Sequence, residues 1–255
     1  MQRIINNNPV PENYDEWTII TQPFLDKLNR HPKKNRRKII ETCHLGKLLM
    51  LLANGDRIEG LSEEPDFIID SNGLKIGVEH QTIVDPSVKE TEGFIENIFL
   101  KIEANLQNDA SLPNFFASCF IRPNLSFKLA DRKRLLAETE DTIRRYQKTN
   151  LLFPNSLIDR ISIMPHSQIN VSPNFGAWWQ KWITEDLIKE AVAKKELKLP
   201  AYRKNCNESL WLLVVIGSVG ESSYEVETNF SMTLDTEFDK VYLLEDFKNR
   251  LFEIK

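Results

Sequence analysis

The stretch 63–84, EEPDFIIDSNGLKIGVEHQTIV, most constrains what this chain can fold into. One apolar run holds Phe67, Ile68 and Ile69; a second leads through Ile76, Gly77 and Val78 to Glu79, His80 and Gln81. Between them lies Asp70-Ser71-Asn72-Gly73, a cluster that favours positive φ and reverses the chain, so the spacing predicts a β-hairpin. Asp66, which follows Pro65 at the mouth of the first run, then sits on the strand next to Glu79. Alternate strand residues share a face, so Glu79 and Gln81 lie on one face and His80 on the other. With Asp66 and Glu79 on the same face, two carboxylates come within reach of one hard divalent cation, Mg²⁺ or Mn²⁺, which takes oxygen ligands.

Around the hairpin the pattern alternates between helical and extended. Residues 1–16, with Asn6, Asn7, Asn8, Pro9 and Pro11, read as an irregular lead-in, and 17–255 as one α/β domain with a mixed sheet covered by helices. From Trp17 apolar residues return at helical spacing, with a break at His31-Pro32 and a second helix over about 34–52 that carries Glu41. After the hairpin, Pro86 and Ser87 cap a predicted helix over 88–107. The run NFFASCFI at 114–121 reads as a strand buried on both faces, and 129–150 as a charged, solvated helix. Residues 158–171 suggest one bent strand or a hairpin around Pro165, and Trp178, Trp179 and Trp182 the opening of a helix that reaches Leu197 and stops at Pro200. LWLLVVIG at 210–217 is the most apolar run and reads as a central strand, with two short strands after it about a turn near Lys248-Asn249. No Pro/Gly/Ser linker splits the chain.

Composition narrows the function classes. At 255 residues, 41% hydrophobic and 27% charged, the chain is an ordinary globular one with enough length for a real core. No apolar run nears the roughly 18 residues a membrane span needs, and the polar start has no signal-peptide core, so a cytoplasmic protein is expected. Cys43, Cys119 and Cys206 have no paired spacing, which predicts buried thiols rather than disulfides or a zinc knuckle. His31, His44, His80 and His166 show neither HxxxH nor HxH spacing, against a zinc hydrolase. No GxxxxGK[ST], GxGxxG or GxSxG is present. The net charge of −4 argues against nonspecific coating of nucleic acid but leaves local patches open. The densest basic run holds Lys27, Arg30, Lys33, Lys34, Arg36, Arg37 and Lys38; it reads either as a phosphate-binding patch or as a solvated helix start.

Pro65-Asp66, the turn and Glu79-His80-Gln81 together resemble the PD-(D/E)XK nuclease superfamily, whose core motif is Pro-Asp, a turn, then Glu-x-Lys on the next strand. The closing order, a lysine-rich helix, Tyr202, WLLVVIG, then FDKVYLLED and RLFEIK, looks like the end of certain small bacterial members. The resemblance implies a restriction-endonuclease-like three-layer α/β core and metal-dependent cleavage of phosphodiester bonds in DNA, or less readily RNA. It implies Asp66 and Glu79 as metal ligands, His80 adding its carbonyl, and Glu41 from the preceding helix, or Glu64, as an outer ligand through water. Lys33, Lys34, Arg36, Arg37, Lys194 and Lys198 are the expected nucleic-acid contacts, and a homodimer is compatible with paired nicks in a duplex.

Gln81 departs from the motif. A lysine there can orient or activate water, whereas an amide is neutral and no useful base. Glu-x-Gln also occurs in some active members of the superfamily; alternatively a lysine from elsewhere reaches the site, with Lys194, Lys195 and Lys198 ahead of Lys75. The alternative is a catalytically silent relative that binds nucleic acid or a protein partner through the same scaffold.

Overall fold

The structure, a computed structural model, describes residues 3–6, 14–123, 125, 127–176, 180–206, 209–218 and 220–255. In chain order the first elements are β1 (Arg3–Asn6), α1 (Tyr14–Leu28), α2 (Pro32–Leu52), β2 (Arg57–Leu61), β3 (Phe67–Ser71) and β4 (Leu74–Thr82). Then come α3 (Pro86–Gln107), β5 (Phe115–Ile121), α4 (Arg132–Thr149), β6 (Ile158–Pro165) and β7 (Asn170–Asn174). The chain closes with β8 (Lys181–Trp182), α5 (Glu185–Glu196), α6 (Leu199–Asn205), β9 (Ser209–Ile216), β10 (Tyr224–Glu225), β11 (Lys240–Glu245) and β12 (Arg250–Glu253). The chain divides into two compact units, one of residues 1–84 with 180–255 and the other of 85–179. In sequence the second unit is inserted between β4 and β8.

The first unit is built on a mixed sheet of seven strands in the order β1-β12-β11-β9-β4-β3-β2. β9 runs parallel to both β4 and β11, whereas β3 pairs antiparallel with β4 and with β2. The run that read as a central strand is central because it is covered twice. Trp211, Leu213 and Val215 pack with Leu45, Leu48 and Leu49 of α2, while Leu210, Leu212, Val214 and Ile216 pack with Ile188 and Val192 of α5 and Tyr202 of α6. Alternation along a strand therefore sends side chains into two separate apolar cores, and a strand buried on both faces needs an unbroken apolar sequence. On β4 the even-numbered Ile76 and Val78 join the α2 core, so the odd-numbered residues face the α5 side. This gives an α/β unit with helices on both faces of a mixed sheet.

The hairpin forms as its turn chemistry dictates. Ser71 pairs with Leu74, leaving Asn72 and Gly73 as a two-residue loop, both at positive φ (55° and 85°). That pair of left-handed residues is the type I′ pattern, whose twist matches the flanking strands. Asp70 Oδ1 accepts from the Gly73 amide at 2.7 Å and closes the loop. Arg3–Asn6, expected as irregular lead-in, instead forms a strand antiparallel to β12. Residues 181–182, expected as helix, are a short strand parallel to β10, because Thr184 caps α5 only afterwards by accepting from the Leu187 amide. Trp178 and Trp179 lie outside the described residues. Pro200 does not end a helix; it sits in the first turn of α6, where its missing N–H costs nothing.

In the second unit β5 is the middle of a three-stranded sheet, antiparallel to β6 and parallel to β7. The expected bent strand or hairpin is therefore split: β6 and β7 lie on opposite sides of β5. Phe115, Ala117, Cys119 and Ile121 are buried against Ile95, Ile98, Phe99 and Ile102 of α3 and Leu135 and Ile143 of α4. Phe116, Ser118 and Phe120 on the other face are only half-buried, correcting the reading of a strand covered on both sides. Phe120 carries the Arg160 guanidinium 3.9 Å above its ring. Asp85, not Pro86 or Ser87, caps α3 by accepting from the amides of Ser87 and Val88. Cys119 and Cys206 are buried thiols and Cys43 is half-buried. Among the described residues no helix is long and apolar enough to cross a membrane.

Candidate functional site

The register Phe67 to Val78 extends one step to set Asp66 opposite Glu79, and the two acids are tied to each other's strands. Glu79 Oε2 accepts from the Asp66 amide at 3.2 Å, and Asp66 Oδ2 accepts from the His80 amide at 3.0 Å. Both are buried, 6% exposed for Asp66 and 4% for Glu79. Gly77 allows this close fit, since a Cβ there would lie 2.7 Å from Pro65 Cγ and 2.7 Å from Leu210 Cδ2.

Helix α2 supplies one wall. Lys34, Arg37, Lys38 and Glu41 recur at three- and four-residue spacing and so share a helix face. Glu41 is 3% exposed. Arg37 Nε donates to Glu41 Oε1 at 2.6 Å, and Lys38 Nζ lies 3.0 Å from Glu41 Oε2 and 2.9 Å from Asp66 Oδ1. The opposite wall is the last turn of α5, from which Lys195 Nζ donates to Glu79 Oε1 at 2.5 Å. Glu41, Asp66, Glu79, Lys38 and Lys195 all line one cleft of about 850 Å³, with Lys34, Arg37, Glu64 and Lys198 around them.

These contacts set the charge states. Burial works against the Asp66 carboxylate, but the His80 amide and then the Lys38 ammonium outweigh it and hold its pKa below the usual value. For Glu79 burial wins, with Asp66 adding to it against Lys195, and its pKa is raised. Lys38 is raised because Asp66 and Glu41 overcome its burial, and Arg37 by its hydrogen bond to Glu41. Tyr202 is fully buried, and burial followed by the nearby Glu79 raises its hydroxyl.

Of the expected site residues, Glu41, Asp66 and Glu79 line the same cleft. Gln81 does not line it; its amide donates to the Thr82 carbonyl at 2.7 Å. Its expected substitute does reach the acids, and it is Lys195 rather than Lys194, which pairs with Glu190 on the exposed side of α5. Lys75 pairs with Glu59 at the far end of the hairpin. Lys34, Arg37 and Lys198 line the cleft, Arg36 is exposed away from it, and the Lys33 side chain lies outside what is described. Lys38 was visible only as part of a basic run; its three-residue spacing from Glu41 is a signal it shares with Arg37, four residues from the same acid.

His80 turns its ring to the other face, as alternation requires. Its Nε2 lies 2.9 Å from Nδ1 of His44, and the rings stack at 5.1 Å. Burial and then His44 push the His80 pKa down to about 3, and burial lowers His44 as well. Behind His44 stands Asp246, held by Lys47 at 2.6 Å. His80 is not among the residues that line the cleft; it reaches the site only through its amide, which donates to Asp66. The Ile83 amide bonds to Val215 of β9, so by alternation the odd-numbered backbone groups of β4 point to β9, and the His80 carbonyl shares the Asp66 edge with its amide.

Carboxylates and a backbone carbonyl are the oxygen donors a hard divalent cation takes, and Glu41 Oε2 is a buried oxygen with no hydrogen-bond partner. By donor chemistry the residues fit such an ion. In this arrangement Lys38 and Lys195 face the carboxylates, and among the described residues no three His, Cys, Asp or Glu side chains converge as a ready-made metal centre. Compared with known protein families, curated proteins and solved structures, the chain shows no match.

Proposed function

We propose that the protein is a divalent-cation-dependent nuclease that hydrolyses phosphodiester bonds in nucleic acid, DNA before RNA, on a restriction-endonuclease-like core. The observation that carries this reading is that Glu41, Asp66 and Glu79, from one helix and both arms of a hairpin, line one cleft with Lys38 and Lys195, whose rim holds Lys34, Arg37 and Lys198 beside Glu63 and Glu64. Asp66 and Glu79 would hold Mg²⁺ or Mn²⁺, with the His80 carbonyl beside them and Glu41 or Glu64 reaching through water. When bound, such an ion polarises the phosphoryl oxygen and lowers the pKa of water. Lys195 takes the place of the lysine that Gln81 lacks: its ammonium, fixed beside Glu79, orients the attacking water or offsets charge on the phosphate. Lys34, Arg37 and Lys198 bind flanking phosphates as a polyanion enters.

A second reading has its own observation. Arg37, Lys38 and Lys195 already neutralise the three acids, which suits a silent scaffold that binds nucleic acid or a protein partner without cleaving anything. Cleavage of plasmid and single-stranded DNA, with Mg²⁺ or with chelator, decides between them. The nuclease reading expects Mg²⁺-dependent cleavage lost in Asp66→Ala and Glu79→Ala. Equal activity in all three proteins removes this site, and salt-sensitive binding without cleavage by the wild type favours the silent scaffold.

A further inference from the structure

Lys38 is the most heavily engaged cation in the cleft. Its ammonium bridges Glu41 Oε2 (3.0 Å) and Asp66 Oδ1 (2.9 Å) and donates to the Ser62 carbonyl at 3.2 Å. It also lies 5.0 Å above the Phe67 ring, with only 17% of the side chain exposed. Ionised, Glu41, Asp66 and Glu79 carry three negative charges, and Arg37, Lys38 and Lys195 carry three positive ones. A divalent ion entering this neutral cluster overcharges it unless a resident cation yields. Arg37 is 82% exposed and touches only Glu41 among the acids, and Lys195 touches only Glu79. Lys38 alone stands between two of them, on the Asp66 oxygen that an incoming ion needs. Glu41 Oε2 marks the same spot: it is buried, and Lys38 faces it by charge without hydrogen-bond geometry.

We propose that Lys38 is a tethered counter-ion that supplies, beside Asp66, the positive charge a divalent cation would bring and competes with that cation for the Asp66 carboxylate. The inference rests on reading the cleft as a cation site. When the ion binds, the ammonium leaves Asp66 Oδ1 and keeps the Ser62 carbonyl it already touches. Lys38 thus stabilises the metal-free protein and thereby lowers its affinity for metal, as mutually exclusive ligands lower one another's affinity.

Calorimetric titration of Mn²⁺ into chelator-stripped protein tests this, using wild type, Lys38→Met, Lys38→Gln and Asp66→Asn, each checked for folding by circular dichroism. Lys38→Gln keeps a donor for the Ser62 carbonyl should the methionine variant fail to fold. Removing the competitor is expected to tighten Mn²⁺ binding about tenfold, to enlarge the rise in Tm on adding Mn²⁺, and to leave Asp66→Asn without binding. Binding by the Lys38 variants where the wild type shows none supports the proposal in its strongest form. Equal or weaker binding by the Lys38 variants, beside a wild type that binds, overturns the counter-ion role and leaves the cation site standing. Binding by no variant, or undiminished binding in Asp66→Asn, overturns the cation-site reading and the role of Lys38 with it.

Discussion

Breaking the pair between Lys195 and Glu79 tests whether a helix far along the chain completes the site. The side chains are 12% and 5% exposed at 2.5 Å, so neither charge is well solvated. Removing one partner of a buried pair commonly costs about 3–5 kcal/mol. Glu79 limits the loss in Lys195→Met because its pKa is already raised by burial, so the stranded carboxylate takes a proton instead of staying charged. A carboxyl whose pKa is higher in the folded than in the unfolded chain gains stability as pH falls through the folded value. The Lys195→Met penalty should therefore be about 3 kcal/mol where Glu79 is ionised and shrink as falling pH protonates it. Glu79→Gln should cost only about 1 kcal/mol, since the long lysine stem can carry its ammonium to water. Urea denaturation of both single variants and the double variant, in chelator over a series of falling pH values, should give a coupling near 2 kcal/mol at the highest pH. A coupling below about 0.5 kcal/mol, the value of an exposed pair, or one that does not change with pH, refutes this reasoning.

Gly77→Ala should lower Tm by about 5 °C, because a Cβ 2.7 Å from Pro65 Cγ and Leu210 Cδ2 overpacks by about 1–3 kcal/mol against an unfolded-state gain of about 0.4–1; a thermal melt at or above that of the wild type contradicts the close fit. Lys34→Ala and Lys198→Ala should each reduce the salt slope of DNA binding by about 0.7–0.9, measured by fluorescence anisotropy, while Arg36→Ala and Lys194→Ala leave it unchanged. The reverse ranking would move the interface off the cleft. His80 is held neutral with its pKa near 3 from an ordinary 6.5, so the unfolded chain binds a proton that the folded one refuses. Its contribution to stability is present above about pH 6.5 and is lost by about 1.4 kcal/mol per pH unit below that, towards about pH 3. Urea titrations down to about pH 4 should show that slope reduced by one proton in His80→Asn, and equal slopes would mean the imidazole is not held neutral.

Some of this was legible in the sequence because it rests on local chemistry. Asn72-Gly73 could only reverse the chain, and with the reversal came the pairing that sets Asp66 opposite Glu79. Strand alternation sent His80 away from Glu79, and an unbroken apolar run placed β9 at the centre of the sheet. What depended on distant partners was less visible. Lys194 and Lys195 are neighbours of the same type, and only the rotation of α5 against the sheet decides which one meets Glu79. Lys38 was one cation among several until α2 had been docked over the hairpin mouth. The strands β6 and β7 look like a hairpin because they are close in sequence, yet each finds β5 instead, a pairing set by which edges are free. The two residues of β8 carry too little pattern to be told from the start of a helix.

A crystal soaked in Mn²⁺ and measured for anomalous scattering tests the central claim most directly. A peak within coordinating distance of both the Asp66 and Glu79 carboxylates, with the Lys38 ammonium withdrawn from Asp66, is the predicted result. Both lysines still seated on their acids, with no peak in the cleft, would contradict it.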